Sequence, residues 1–263
     1  MLEISSSGIR YEAGTIGVIT LDRPGKRNAI DDAMRAGLRD AIENAAASSD
    51  LRALVLTGSG VAFCAGGDVR GMEKRLEEGD RAPELGWRRQ RSLHWTLELF
   101  HDLPVPTIAA VNGAAMGLGL DLALTCDFIV AAKSATFAES FVHRGLVPDG
   151  GSMYHLPRRV GLAKAKDLVF SGRRVDAEEA LAIGLVDRLA EDGSALEDAL
   201  AWAAEFAARP ATAIGVAKEI LNVTFESGLE EVDRLGAQAQ AICYSTPDHR
   251  ESVRAFLASR RSR

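Results

Sequence analysis

The sequence predicts an α/β core that gives way to a helical C-terminal region. Three observations carry this expectation: a strand–helix–strand unit between residues 16 and 57, further buried-strand patterns separated by helical stretches, and the disappearance of strand signals from Ser152 onward. A strand–helix–strand unit implies a parallel sheet with helical cover.

Taken in order, Ile16-Gly-Val-Ile-Thr-Leu21 is short, β-branched and ended by Asp22-Arg-Pro-Gly25, which predicts a strand running into a turn. Asp31 then caps a stretch to Ala47 rich in Ala, Leu and Met, a helix. Leu51–Thr57 is a second strand, stopped by Gly58-Ser-Gly60. The segment from Arg70 to Gly86 is charged, contains Gly79 and Pro83 and lacks an apolar period, so it is expected as a frayed helix or mobile loop. Trp87–Leu103 follows as a helix closed by Pro104, then Pro106–Val111 as a buried strand, Gly117–Thr125 as a short helix and Asp127–Ala131 as a strand. Beyond Ser152 the helical patterns are Ala163–Ser171, Asp176–Ile183, Ser194–Ala208, Pro210–Asn222, Gly228–Tyr244 and Asp248–Ser259. No internal repeat and no low-complexity linker is visible.

Bulk properties narrow the function. A chain of 263 residues that is 47% apolar can bury a full core. The formal charge of −6 provides no global basic field, which argues against nucleic acid and acidic membrane surfaces as partners; a small polyanion would need local Lys and Arg. Cys64, Cys126 and Cys243 are odd in number and outside any CxxC spacing, so neither a disulfide framework nor a structural zinc site is expected. His94, His101, His155 and His249 likewise show no metal-ligand spacing. Met1–Arg10 lacks the apolar run of a signal peptide, and no stretch reaches the length needed to cross a bilayer, so a cytoplasmic protein is expected.

Two Gly-rich passages each follow a predicted strand: Phe63-Cys-Ala-Gly-Gly-Asp68, and Asn112-Gly-Ala-Ala-Met-Gly-Leu-Gly-Leu-Asp121. Missing side chains let backbone N–H groups approach a ligand, and the second passage opens a helix whose N-terminus favours anions. Neither fits the dinucleotide fingerprint or the P-loop, which makes NAD and ATP poor candidates.

The runs Leu21-Asp-Arg-Pro-Gly-Lys-Arg-Asn-Ala29, Ala62-Phe-Cys-Ala-Gly-Gly-Asp-Val69, Pro106-Thr-Ile-Ala-Ala-Val-Asn-Gly113, Gly117-Leu-Gly-Leu-Asp121, Gly145-Leu-Val-Pro-Asp-Gly-Gly151 and Ala180-Leu-Ala-Ile-Gly-Leu-Val186 together resemble the enoyl-CoA hydratase/isomerase (crotonase) family. They stand in the family's order and cover nearly the whole chain. The resemblance implies a spiral of ββα turns with the acyl-CoA site over residues 1–195, and a C-terminal helical region over 196–263 that builds homotrimers, often stacked as hexamers. It implies that the N–H groups of Gly67 and Leu118 form an oxyanion hole for the thioester oxygen, where losing one donor typically costs about 100- to 1000-fold in rate. It also implies Lys26 and Arg27 near the CoA phosphates and Ala65, Asp68 and Val69 along the adenine and pantetheine path. CoA arrives on the substrate, so no further cofactor and no metal are expected.

The reaction turns on carboxylates. Hydratases of this family use two glutamates to hold and activate water; by position the first is Asp121 here and the second is Phe141, which cannot transfer a proton. Asp149, eight residues beyond Phe141, occupies the place where some isomerases of the family carry a proton-shuttling acid. The expectation is therefore double-bond migration with Asp149 as principal acid/base and Asp121 in support, Phe141 facing the acyl group. Hydration of a 2-enoyl-CoA and acyl-CoA binding without catalysis are the alternatives. Glu139 and His143, which flank Phe141, are alternative proton carriers, although neither matches a family catalytic position.

Overall fold

In the computed structural model, which describes residues 3–261, the chain opens with the strands β1 (Glu3–Ser6), β2 (Ile9–Glu12) and β3 (Ile16–Leu21) and the helix α1 (Asp32–Ala46). Next come β4 (Ala53–Gly58), β5 (Ala62–Cys64), α2 (Val69–Leu76), α3 (Ala82–His101), β6 (Thr107–Val111), β7 (Ala114–Met116), α4 (Leu118–Thr125), β8 (Phe128–Ala132) and β9 (Thr136–Ala138). The remainder comprises α5 (Ser152–Val160), α6 (Leu162–Ser171), β10 (Val175–Asp176), α7 (Ala177–Ala182), β11 (Arg188–Ala190), α8 (Ala195–Ala207), α9 (Ala211–Asn222), α10 (Leu229–Ser245) and α11 (Pro247–Arg261).

These strands form two sheets. The larger has the order β1-β2-β3-β4-β6-β8-β11, antiparallel from β1 to β3 and parallel beyond; the smaller has the order β10-β9-β7-β5 with β5, β7 and β9 parallel. The pairs β4–β5, β6–β7 and β8–β9 each place one strand in either sheet, which is the expected ββα spiral. Strands β4 and β6 are buried throughout, as parallel strands covered on both faces must be. Helix α4 is entirely buried and packs on β5 and β7 of one sheet and β6 and β8 of the other. Helix α8 covers the larger sheet through Ala195, Ala199, Trp202 and Ala203.

One open expectation is decided and another needs correction. Of the frayed helix and the mobile loop expected for 70–86, the structure shows helix: the Asp68 carboxylate accepts the Arg70 N–H at 2.8 Å and caps α2, and Pro83 sits in the first turn of α3, where its missing N–H costs nothing. Strand signals also continue past Ser152, because β10 and β11 add edge strands to the two sheets. They are two and three residues long, too short to show alternation.

Candidate active site

Strands β5 and β7 are parallel neighbours, so the two Gly-rich passages leave the smaller sheet at the same end. They touch backbone to backbone. A Cβ on Gly119 would lie 2.2 Å from the Cys64 carbonyl oxygen, and one on Gly66 would lie 2.7 Å from that of Met116 and 3.8 Å from the Leu118 nitrogen. Gly66 and Gly117 also hold φ of +95° and +52°, where side-chain-bearing residues are strained. The turn's own bonds run from Ile30 N–H to the Gly66 carbonyl (2.8 Å), from Asp68 N–H to the Ile30 carbonyl (2.9 Å) and from Gly117 N–H to the Ala138 carbonyl (2.8 Å). The Gly67 and Leu118 N–H groups, interleaved between these donors, make none of them. Leu118 begins α4, so its N–H has no partner within the helix and stands at the positive end of the dipole.

Three carboxyls gather beneath this turn. Asp121 lies one helical turn into α4, fully buried, and its Oδ2 accepts the Gly150 N–H at 3.0 Å. Burial raises its pKa, and the nearby Asp149 charge adds to the rise. Asp149 is half-buried on the loop before α5; burial raises it too, while the charges of Arg35, His94 and Arg89 pull it back. The loop is anchored from α3, where His94 Nε2 lies 2.6 Å from the Asp149 carbonyl oxygen. Glu139, fully buried after β9, is raised by burial and by the Asp121 charge. The structure thus brings Asp121 and Asp149 together and adds Glu139, an alternative proton carrier in the sequence, and His94, which the sequence marks as structural or surface. Phe141 is half-buried with its ring 3.4 Å from the Cβ position of Gly117, beside the turn.

The N-terminal turn closes the other side. Lys26 and Arg27 are exposed, as are Ala65 and Val69. Asn28, buried and left-handed at φ 56°, donates through Nδ2 to the carbonyls of Ser59, Ala62 and Phe63 and accepts the Arg23 N–H, which locks the Lys26-Arg27 turn to β5. The Arg23 guanidinium bridges Asp31 (3.0 Å) and Asp68 (2.7 Å), the caps of α1 and α2, and holds Asp68 below the usual carboxylate range after its bond from Arg70 N–H. Asp68 is therefore committed to the scaffold beside the site. Burial pushes the Cys64 thiol up to about 12, and its Sγ lies 3.2 Å from the Asn28 carbonyl oxygen. Among the described residues no group of three or more His, Cys, Asp or Glu could hold a metal ion, and no helix is long and apolar enough to cross a membrane.

The family described as enoyl-CoA hydratase/isomerase matches residues 11–263. The chain is 34% identical over 242 residues to the 1,2-epoxyphenylacetyl-CoA isomerase of Escherichia coli K12, covering 92% of each protein. It superposes on the crystal structure of an enoyl-CoA hydratase from Polaromonas sp. JS666 with a TM-score of 0.89 at 33% identity, covering 95% of this chain and 97% of that one. Against the enoyl-CoA hydratase/isomerase of Cupriavidus metallidurans CH34 the TM-score is 0.90 at 34% identity, covering 97% and 95%.

Proposed function

The chain belongs to the enoyl-CoA hydratase/isomerase family of enzymes, and on that premise we propose that it shifts a double bond in an enoyl-CoA by proton transfer. The thioester oxygen takes hydrogen bonds from the N–H groups of Gly67 and Leu118. Asp149 removes a proton from one carbon, the electrons move into a dienolate whose oxygen those two donors stabilise, and the proton returns to another carbon of the chain. The CoA portion runs past Ala65, Asp68 and Val69 to Lys26 and Arg27, whose charges and N–H donors suit its phosphates. CoA enters with the substrate, no other cofactor takes part, and helices α9 to α11 join subunits into a trimer or a pair of stacked trimers.

One observation carries the choice of isomerisation. The second glutamate position of the family's hydratases is Phe141, packed beside Gly117, whereas Asp149 sits on a loop that is hydrogen-bonded to Asp121 through Gly150. A second reading, hydration of a 2-enoyl-CoA, draws support from the Asp149 charge acting on Asp121, since two neighbouring carboxyls could share a water. The variant Asp149→Asn separates the possibilities when double-bond migration in a 3-enoyl-CoA and hydration of a 2-enoyl-CoA are both followed. Migration is expected to fall about 100- to 10,000-fold. Undiminished turnover of both substrates would remove Asp149 from the mechanism. Absence of deuterium exchange into any acyl-CoA in heavy water would reduce the protein to a binder.

A further inference from the structure

Glu139 follows Ala138, whose carbonyl accepts the Gly117 N–H, so its backbone is tied to the turn that presents Leu118. Its side chain turns inward and is fully buried, as are Asp121 on α4 and Ser152 at the start of α5. Both Glu139 oxygens, Asp121 Oδ1 and the Ser152 hydroxyl are buried polar atoms without a hydrogen-bond partner among the described residues. The Ser152 hydroxyl stands near both carboxyls without meeting hydrogen-bond geometry to either; burial raises both carboxyls, and the pull of this hydroxyl partly offsets the rise. Two ionised carboxylates sealed together without a cation would be strongly unfavourable. Four such atoms satisfy one another if the pair keeps a proton and the hydroxyl donates to the remaining oxygen.

We propose that Glu139 is a positioning residue for this reaction: it holds a proton against Asp121 and Ser152, which fixes the Asp121 carboxyl and, through its bond from Gly150 N–H, the loop that carries Asp149. The assignment rests on the proton-transfer reading of the site. It gives Glu139 no contact with substrate. A neutral acid behind Asp121 keeps a second negative charge out of the space beneath the Gly67–Leu118 turn, where an enolate must form. Asp121 and Asp149 are the titrating acids that bear on this cluster, with Cys64 on β5 facing Asp121 as a neutral thiol. Arg35, His94 and Arg89 act on Asp149 from α1 and α3.

The sign of the pH effect follows. Because the folded protein holds the Glu139 proton above the pH at which the unfolded chain loses it, stability falls as pH rises from the ordinary glutamate range towards the raised value. Loss of the proton would also loosen the Asp149 loop, giving the rate an alkaline decline.

The test measures kcat and KM for 3-enoyl-CoA isomerisation against pH, and melting temperature against pH, in the unsubstituted enzyme, Glu139→Gln and Glu139→Ala. Glutamine supplies an N–H donor that does not titrate. Glu139→Ala is expected to lower kcat about 100-fold with little change in KM, the scale of effect that displacing a reacting group by about 1 Å can produce. Glu139→Gln should recover much of that loss, remove the alkaline decline and flatten the fall of melting temperature with pH. An alkaline decline that persists unchanged in Glu139→Gln, or a Glu139→Ala enzyme with full kcat, overturns the proposal. The melting series reads the Glu139 proton without turnover, so it stands even if Glu139→Ala does not fold; a slope identical in Glu139→Gln and the unsubstituted protein also overturns it. Failure of the unsubstituted enzyme to isomerise would instead strike the reaction assigned above.

Discussion

At Gly150 there is room for a hydrogen and nothing larger, because a Cβ there would lie 2.5 Å from Asp121 Oδ2, the atom that accepts the Gly150 N–H. Gly150→Ala must therefore push Asp121 away, and unfolding by urea should show a loss of about 1–3 kcal/mol together with reduced kcat. The same substitution at Gly25, where a Cβ meets nothing within 4 Å, should leave both measurements near their starting values. Asp121 and Asp149 were legible as candidates because family register marked their positions. Glu139 was legible only as an alternative proton carrier, since its significance comes from burial near Asp121, a residue 18 positions earlier. His94 escaped for the same reason: its partner is the backbone carbonyl of Asp149, 55 residues away. A lone histidine in a charged helix gives no local sign of such a bond.

The elements that local patterning found are those long enough to display a period. Strands β5, β7 and β9 have three residues each, so the second strand of each spiral turn left no alternation to read. The charged stretch 70–86 concealed two helices because α2 and the start of α3 bury little apolar surface; side-chain capping by Asp68 and the position of Pro83 decide that segment. Helix α9 shows the opposite case, where a polar group docks an element. Lys218, 8% exposed, donates to the Val105 carbonyl (3.0 Å) and to Asp127 Oδ2 (2.7 Å), and Asp127 Oδ2 in turn accepts the Thr107 N–H. Removing the lysine leaves that carboxylate underpaired, so Lys218→Ala should cost about 3–5 kcal/mol in urea unfolding. A double-mutant cycle with Asp127→Asn would show strong coupling; additive losses would mean that the pair does not dock the helix.

On the scale of the whole molecule, α10 packs chiefly on α9 and α11. These helices leave Leu229, Ile242, Tyr244, Phe256 and Leu257 exposed to between 50% and 77%, a spread of apolar groups that a single chain does not cover. If the helices join subunits, Phe256→Glu should shift the molar mass measured by light scattering toward that of one 28.1 kDa chain while leaving the helical circular dichroism signal intact. An unchanged mass at low protein concentration would place the subunit contact elsewhere.

By itself the sequence determined the α/β class, the order of the long elements, the two Gly-rich turns and the two aspartates, because each is written in a local period, a turn chemistry or a motif. Tertiary structure alone decided that the two turns meet backbone to backbone, that Asp121 and Asp149 are linked through Gly150, and that Glu139 stands buried behind them. Burial and proximity between distant residues set the electrostatics of a carboxyl, and neither quantity exists until the two sheets have closed around α4.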